Sequence, residues 1–260
     1  MPDSKIPIRN RPPDLGIHNW RQHPWSQWAF QHVREVIPSA VIPSQSNSAA
    51  PLPTNALDFD TVQFEMGRQQ ISISELAART HTDGLIILHN GDVIYEYAAD
   101  HFDRSNPHIL FSVSKSLTAL LAGILEDAGL FDPNAPVVHY LPGARDSVYG
   151  NCSMRNILDM TVALDFEENY TDSDSEYMQY RRATAWNPVN QNNPGPALEE
   201  FLYSLAQSDQ DHGHAFLYRS PNSDLLGLVL ERAGQMPYPA LLSERLWQPM
   251  GAASNAEVTV

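Results

Sequence analysis

The stretch "SVSKSLTALLAGILEDAG", residues 112–129, restricts the fold more than any other part of this chain. At 100° per residue, Leu117, Leu120, Leu121, Ile124, Leu125 and Ala128 share one broad face. Ser112 and Lys115 lie about 60° apart on the opposite side, with Ala119, Ala122 and Gly123 below them. That second face stays small and apolar until Glu126 and Asp127. The segment therefore reads as a helix ended by Gly129 and buried nearly all round, with Lys115 pointing into a crevice. Burying such a helix needs a large surrounding body. A chain of 260 residues, 42% hydrophobic and 18% charged, can supply one big domain or two intimate ones.

The same helix carries a chemical oddity. Of 16 basic residues only Lys5 and Lys115 are lysine; the others are arginine. Burial lowers a lysine's pKa because the charged form loses hydration, and a helix N-terminus acts in the same direction. A lysine so perturbed can take a proton from a hydroxyl one turn away, whereas arginine stays protonated. Ser112 and Lys115 are thus candidates for a nucleophile and its base. The plainer reading of the same residues is a Ser112 helix cap and a snorkelling Lys115. Ser-x-x-Lys alone does not decide between them.

Tyr218 is a second signal, in "FLYRSPNSDLLGLVLERAG", just before a helix opened by Pro221. A tyrosine at a strand-to-helix junction can set its phenol beside the Ser–Lys pair and relay a proton to a leaving group. As an isolated residue, Tyr218 would instead be a core side chain with a bonded hydroxyl.

Around these residues the organisation is mixed. Residues 1–60 are rich in Pro, Asn and Ser and read as an N-terminal arm, with one helical segment at "WSQWAFQHVREVI" and Trp25, Trp28 and Phe30 as packing anchors. Residues 61–130 read as part of an α/β domain, with a short helix at "ISELAART". "GLIILHNGDVIYEYAA" reads as a hairpin turning at Asn90-Gly91. Residues 131–260 read as mostly helical, with helices at "SMRNILDM" and roughly 197–206, 221–233 and 238–247. A lone hairpin needs more strands beside it. Only "TVQFEM" near residue 62 and the final "AEVTV" offer them, so the sheet looks incomplete.

Composition removes several function classes. A net charge of −15 argues against nucleic acid, because phosphate binding needs a basic face. No apolar run reaches the roughly 18 residues that span a bilayer, so no membrane partner is expected. The opening "MPDSKIPIRNRPPDLG" lacks the apolar core of a signal peptide, and Cys152 is the single cysteine. Both point to the cytoplasm. Cys152, in "YGNCSM", reads as structural. "HGH" at 212–214 reads as a surface loop, since no third metal ligand stands at useful spacing, and no cofactor or metal is expected. His89-Asn90-Gly91 is the hairpin turn, and no Gly-x-Ser-x-Gly occurs, which disfavours α/β-hydrolase chemistry. Arg181 and Arg182 suit a carboxylate or a solvated pair, the latter being the simpler reading.

Ser112-Val-Ser-Lys115, the downstream Tyr218 and the preceding hairpin together resemble the serine β-lactamase and penicillin-binding-protein superfamily. "SQWAFQHVREVIPSAVI", "LFSVSKSLTALLAGILEDAGLFDPNAPVVHYLP", "SVYG", "ILDMTVALDFEENYTD" and "FLYRSPNSDLLGLVLERAG" narrow this to class C β-lactamase-related esterases and amidases. Within that branch the chain is similar to 6-aminohexanoate-dimer (nylon-oligomer) hydrolases over about residues 20–255. The resemblance implies an α/β (α+β) fold of the β-lactamase/transpeptidase type: an antiparallel sheet flanked by helices, with an inserted mostly helical domain. It also implies acyl transfer on a small amide or ester: Ser112 as nucleophile, Lys115 as base, Tyr218 as proton shuttle and the Ser112 N–H as one oxyanion donor. Tyr170, in "ENYTD", falls where this branch places a tyrosine over substrate, and Asn222 matches an Asn of the tyrosine motif loosely. Family members run on for further strands, a third motif and the second oxyanion donor, so the resemblance implies a truncated chain. A carboxylesterase of the same fold and an inactive member that only binds a ligand or partner are the competing expectations. The resemblance is compatible with a homodimer.

Overall fold

A computed structural model describes residues 11–45, 51–170, 175–189 and 194–260; Lys5 and the rest of the first ten residues lie outside them. In chain order the strands are β1 (Ser39–Ile42), β2 (Phe64–Met66), β3 (Gln69–Ile71), β4 (Gly84–His89), β5 (Asp92–Ala98) and β6 (Ala256–Thr259). The helices are α1 (Ser26–Ala29), α2 (Ile73–Arg79), α3 (Ser114–Asp127), α4 (Val137–Tyr140), α5 (Met154–Leu158), α6 (Glu176–Ala183), α7 (Leu198–Ser204), α8 (Ser220–Gly234) and α9 (Tyr238–Leu242). The chain forms two compact units: Met1–Val36 with Ser48–Ile109, and Ile37–Asn47 with Leu110–Val260.

In the first unit, β4 and β5 pair antiparallel about Asn90-Gly91. Both turn residues have positive φ, 53° and 90°, the conformation that a two-residue hairpin of matching twist requires and that Asn-Gly supplies with least strain. A register shift between Ile87 and Leu88 marks a bulge opposite. Helix α2 begins with a capping box, the Ser72 hydroxyl accepting from the Glu75 N–H while Glu75 accepts from the Ser72 N–H. "WSQWAFQHVREVI" is not one helix; it breaks into α1 and a 3-10 turn at Val33–Glu35. Its aromatic residues pack as anchors: Trp28 is buried and stacks on His32 at 4.0 Å, and Phe30 meets Trp20 edge-on.

The second unit holds a continuous core in which Leu225, Leu226, Val229 and Leu230 of α8 meet Leu121, Ala122 and Leu125 of α3. Met154 and Ile157 of α5 and Phe201 and Leu202 of α7 complete it. Each such side chain contributes about 1.5–3 kcal/mol on burial. Strand β1 pairs antiparallel with β6, Ser39 opposite Thr259 and Ile42 opposite Ala256. Gly150 is required by close approach: a Cβ there would stand 2.1 Å from the Arg145 carbonyl oxygen. Cys152 is buried, and burial pushes its thiol up to about 12, so it stays protonated at neutral pH. Among the described residues, the single sheet expected around the hairpin is present as three two-stranded antiparallel ladders.

Helix α3 corrects the expectation of burial all round. Its buried residues are Thr118, Leu121, Ala122 and Leu125, the 3–4 spacing that faces α8, while Leu120 is 56% exposed. Lys115 is half-buried rather than enclosed. Among the described residues no helix is long and apolar enough to cross a membrane.

Candidate active site

Ser112 sits in a 3-10 turn, Phe111–Val113, that runs directly into α3. The residue before it is strained: Phe111 has φ 46°, a conformation that bulky residues rarely adopt. The Ser114 hydroxyl donates to the Phe111 carbonyl at 2.6 Å and steadies the turn. One helical turn on, Lys115 Nζ donates to Ser112 Oγ at 2.9 Å. A spacing of three residues puts the two side chains on one side of the helix start, as the sequence geometry requires.

Tyr218 reaches the same place from the segment just before α8. The Leu217 N–H donates to the Met160 carbonyl at 2.8 Å, and Ser208, Gly213 and Asp165 add backbone bonds along the same pair of segments. The Ala163 N–H donates to His212 Nδ1 at 3.1 Å, so "HGH" is a strut of this pairing. The chain then turns into α8, whose first turn holds Pro221. Because α8 packs on α3, the Tyr218 ring centroid lies 5.4 Å from Lys115 Nζ. Ser112, Lys115 and Tyr218 are thereby brought together, and Tyr218 remains 40% exposed.

The other two candidates are placed differently. Tyr170 is 66% exposed, donates its hydroxyl to Glu168 Oε2 at 2.7 Å and lies 4.8 Å from the Tyr177 ring. Its phenol is held well above the usual range by burial and by the Glu168 carboxylate. Asn222 has 0% exposure. Its Oδ1 accepts from the buried Tyr149 hydroxyl at 3.3 Å and its Nδ2 faces Met160 Sδ at 3.8 Å, so it presents no free surface for a substrate in this structure.

Around this trio, Glu168, Asp224 and Tyr180 did not stand out in the sequence, whereas Arg181 did. Glu168 Oε1 accepts the Ser220 N–H at 2.5 Å, so one carboxylate joins Tyr170 to the first residue of α8. Asp224, one turn into α8, accepts the Tyr180 hydroxyl at 2.5 Å. Burial raises the Asp224 pKa; the Tyr180 hydrogen bond and the charges of Lys115 and Arg181 pull the other way. Tyr180 is raised well above its ordinary range by burial and by Asp224. Arg181 is not the solvated partner of Arg182. Its guanidinium carbon stacks 4.3 Å from the Trp186 ring, while Arg182 is exposed. Tyr180 and Arg181 come from α6, whose sequence "EYMQYRRA" shows no apolar stripe, so only its buried tyrosines reveal the packed face.

Such a constellation can carry nucleophilic chemistry: an exposed hydroxyl, an amine in hydrogen-bond contact with it, and a phenol beside the amine. Among the described residues no group of three or more His, Cys, Asp or Glu side chains is arranged to hold a metal.

Comparison with known proteins agrees with this architecture. The chain is 32% identical over 244 residues to the 6-aminohexanoate-dimer hydrolase of Paenarthrobacter ureafaciens, covering 94% of this chain and 60% of that one. The chain thus spans about 60% of the length of that curated relative. A solved Bacillus anthracis protein, assigned as a 6-aminohexanoate-dimer hydrolase, superposes with TM-score 0.87 over 95% of this chain and 65% of its own; at 19% identity it shows the fold. EstCE1, a hydrolase with promiscuous acyltransferase activity, is 25% identical with TM-score 0.51, covering 68% of this chain and 49% of its own. The fold is that of β-lactamases and transpeptidases, mixed helices with short antiparallel ladders. The Beta-lactamase family model matches residues 72–255, which include Ser112, Lys115 and Tyr218 and well over half of the sequence, and the chain belongs to the Beta-lactamase family.

Proposed function

We propose that this chain acts as a serine hydrolase that cleaves an amide or ester bond in a small linear substrate through an acyl-enzyme on Ser112. The observation that carries the reading is the 2.9 Å contact between Lys115 Nζ and Ser112 Oγ. In the reaction Lys115 Nζ accepts the Oγ proton as Oγ attacks the carbonyl carbon. The Ser112 backbone N–H serves as one donor to the oxyanion that forms. Collapse breaks the C–N or C–O bond, and the leaving group takes the proton from Lys115 by way of the Tyr218 phenol. Water then attacks the acyl carbon and gives its proton to Lys115 by way of Tyr218; the Ser112 Oγ–acyl bond breaks, Lys115 returns the proton to Oγ, and the acid is released. Tyr170, exposed and anchored through Glu168, borders the substrate.

The substrate class follows from the 32% identical relative, whose name specifies the 6-aminohexanoate dimer, a linear amide. The strained Phe111 before the nucleophile supports the same reading, because backbone strain concentrates at functional turns. The test is turnover of 6-aminohexanoate-dimer analogues and of p-nitrophenyl acetate by purified protein. Hydrolysis that vanishes in both Ser112→Ala and Lys115→Ala supports the proposal. Well-folded protein that turns over neither compound would favour a family member that only binds.

A further inference from the structure

Arg181 holds an unused charge. Its Nη1 donates to the Tyr177 hydroxyl at 3.4 Å, a long bond, while Nε and Nη2 are buried with no acceptor among the described residues. Those two N–H groups share one edge of the planar guanidinium. That edge is the fork that pairs a carboxylate through two parallel hydrogen bonds. The flat face is already occupied, by the Trp186 ring at 4.3 Å and the Tyr177 ring at 5.8 Å. The guanidinium is therefore held flat, with its Nε–Nη2 edge unpaired among the described residues. Buried charged donors without acceptors are disfavoured, and burial works against the charge of Arg181.

Neighbouring carboxylates do not meet this need. Asp224 accepts from Tyr180, and Glu168 accepts from Tyr170 and Ser220. Neither is hydrogen-bonded to Arg181. The position is also connected to the site. The Trp186 ring lies 6.0 Å from that of Phe111, the residue before Ser112, and Tyr177 lies 4.8 Å from Tyr170. An aromatic wall of Phe111, Trp186, Tyr177 and Tyr170 thus leads from the serine to the guanidinium.

We propose that Arg181 is the recognition point for a carboxylate carried by the substrate, so that the chain selects linear amides or esters bearing a free acid group over neutral or cationic ones. The inference rests on the serine-hydrolase reading for what is cleaved, but not for what is bound.

The test separates the two. Calorimetric titration of the Ser112→Ala protein with adipic acid mono-anilide, hexanoic anilide and 6-aminohexanoic anilide compares an anionic, a neutral and a cationic probe of similar length. The anionic probe should bind at least about tenfold tighter than the neutral one, the size expected of one charge-assisted pair. Arg181→Gln should bring that ratio near one, and Arg181→Lys, which keeps the charge without the fork, should fall between. Equal affinity for the probes, no measurable binding of the anionic probe at millimolar concentration, or a ratio unmoved in folded Arg181→Gln overturns the proposal. The probe comparison stands even if the Arg181 variants fail to fold. In parallel, wild-type kcat/KM is measured for the mono-p-nitrophenyl ester of adipic acid against p-nitrophenyl hexanoate. Charge preference in binding without any turnover would sink the hydrolase reading alone; turnover without charge preference would sink this one alone.

Discussion

The Tyr180 hydroxyl donates to Asp224 Oδ2 at 2.5 Å, and so joins α6 to the first turns of α8 where Lys115 is near. Among the described residues this phenol is the one hydrogen-bond donor to the Asp224 carboxylate, which is largely buried. Tyr180→Phe is therefore expected to destabilise the protein by about 1–3 kcal/mol, the range for leaving a buried acceptor short of its donor. Urea unfolding of the variant against wild type reads this directly, and an unchanged midpoint would show the contact to be dispensable.

Glu168 couples Tyr170 to the α8 N-terminus. Removing the carboxylate in Glu168→Ala releases both, with an expected loss of about 1–2 kcal/mol from the helix end alone. Glu168→Gln keeps an acceptor oxygen and should lose less. Thermal melts rank the two variants; equal melting temperatures for Glu168→Ala and wild type would count against the cap.

Histidine 108 supplies a pH signature in the first unit. Its Nε2 lies 2.8 Å from Asp83 Oδ2 and its Nδ1 2.9 Å from the Ile109 carbonyl. Both oxygens accept, so both ring nitrogens donate and the ring is an imidazolium. The Asp83 hydrogen bond raises His108, against the opposing effect of burial. Burial pushes Asp83 up, but hydrogen bonds from His108 and His101 outweigh it and hold the carboxyl below its usual range. A base raised on folding stabilises fully below its unfolded pKa, about 6.5, and loses that contribution as pH climbs through the folded value. A lowered acid stabilises above its unfolded pKa, about 3.9, and loses it as pH falls through the folded value. The stability difference between wild type and His108→Gln should be largest between about pH 4 and 6.5 and shrink on both sides. A difference that grows toward pH 9 would contradict the assignment.

Legibility in the sequence followed the range of the interactions. The β4–β5 hairpin was readable because Asn90-Gly91 fits its turn locally, and α8 because Pro221 opens an apolar periodic run. Strand β1 went unread: its partner β6 lies over two hundred residues away, and four residues, "SAVI", carry little pattern. Helix α6 was missed because its tyrosines and arginines show no apolar stripe. For α3, periodicity gave the helix and the burial of Leu121 and Leu125, but not that much of the rest of its surface is open, since both faces are apolar and only α8 decides which part is covered. The Ser112–Lys115 contact was legible from three-residue spacing, and the approach of Tyr218 from its place before α8. What Asp224, Glu168 and Arg181 do depends on pairings across elements, which no local pattern encodes.

The central claim is that Ser112 is a nucleophile activated by Lys115, and covalent labelling tests it most directly. The folded protein is treated with a fluorophosphonate probe and digested, and the modified peptide is identified by mass spectrometry. The account predicts one label, on Ser112, absent in Ser112→Ala and strongly slowed in Lys115→Ala. Label on another residue, or a Lys115→Ala protein that reacts as fast as wild type, would contradict it.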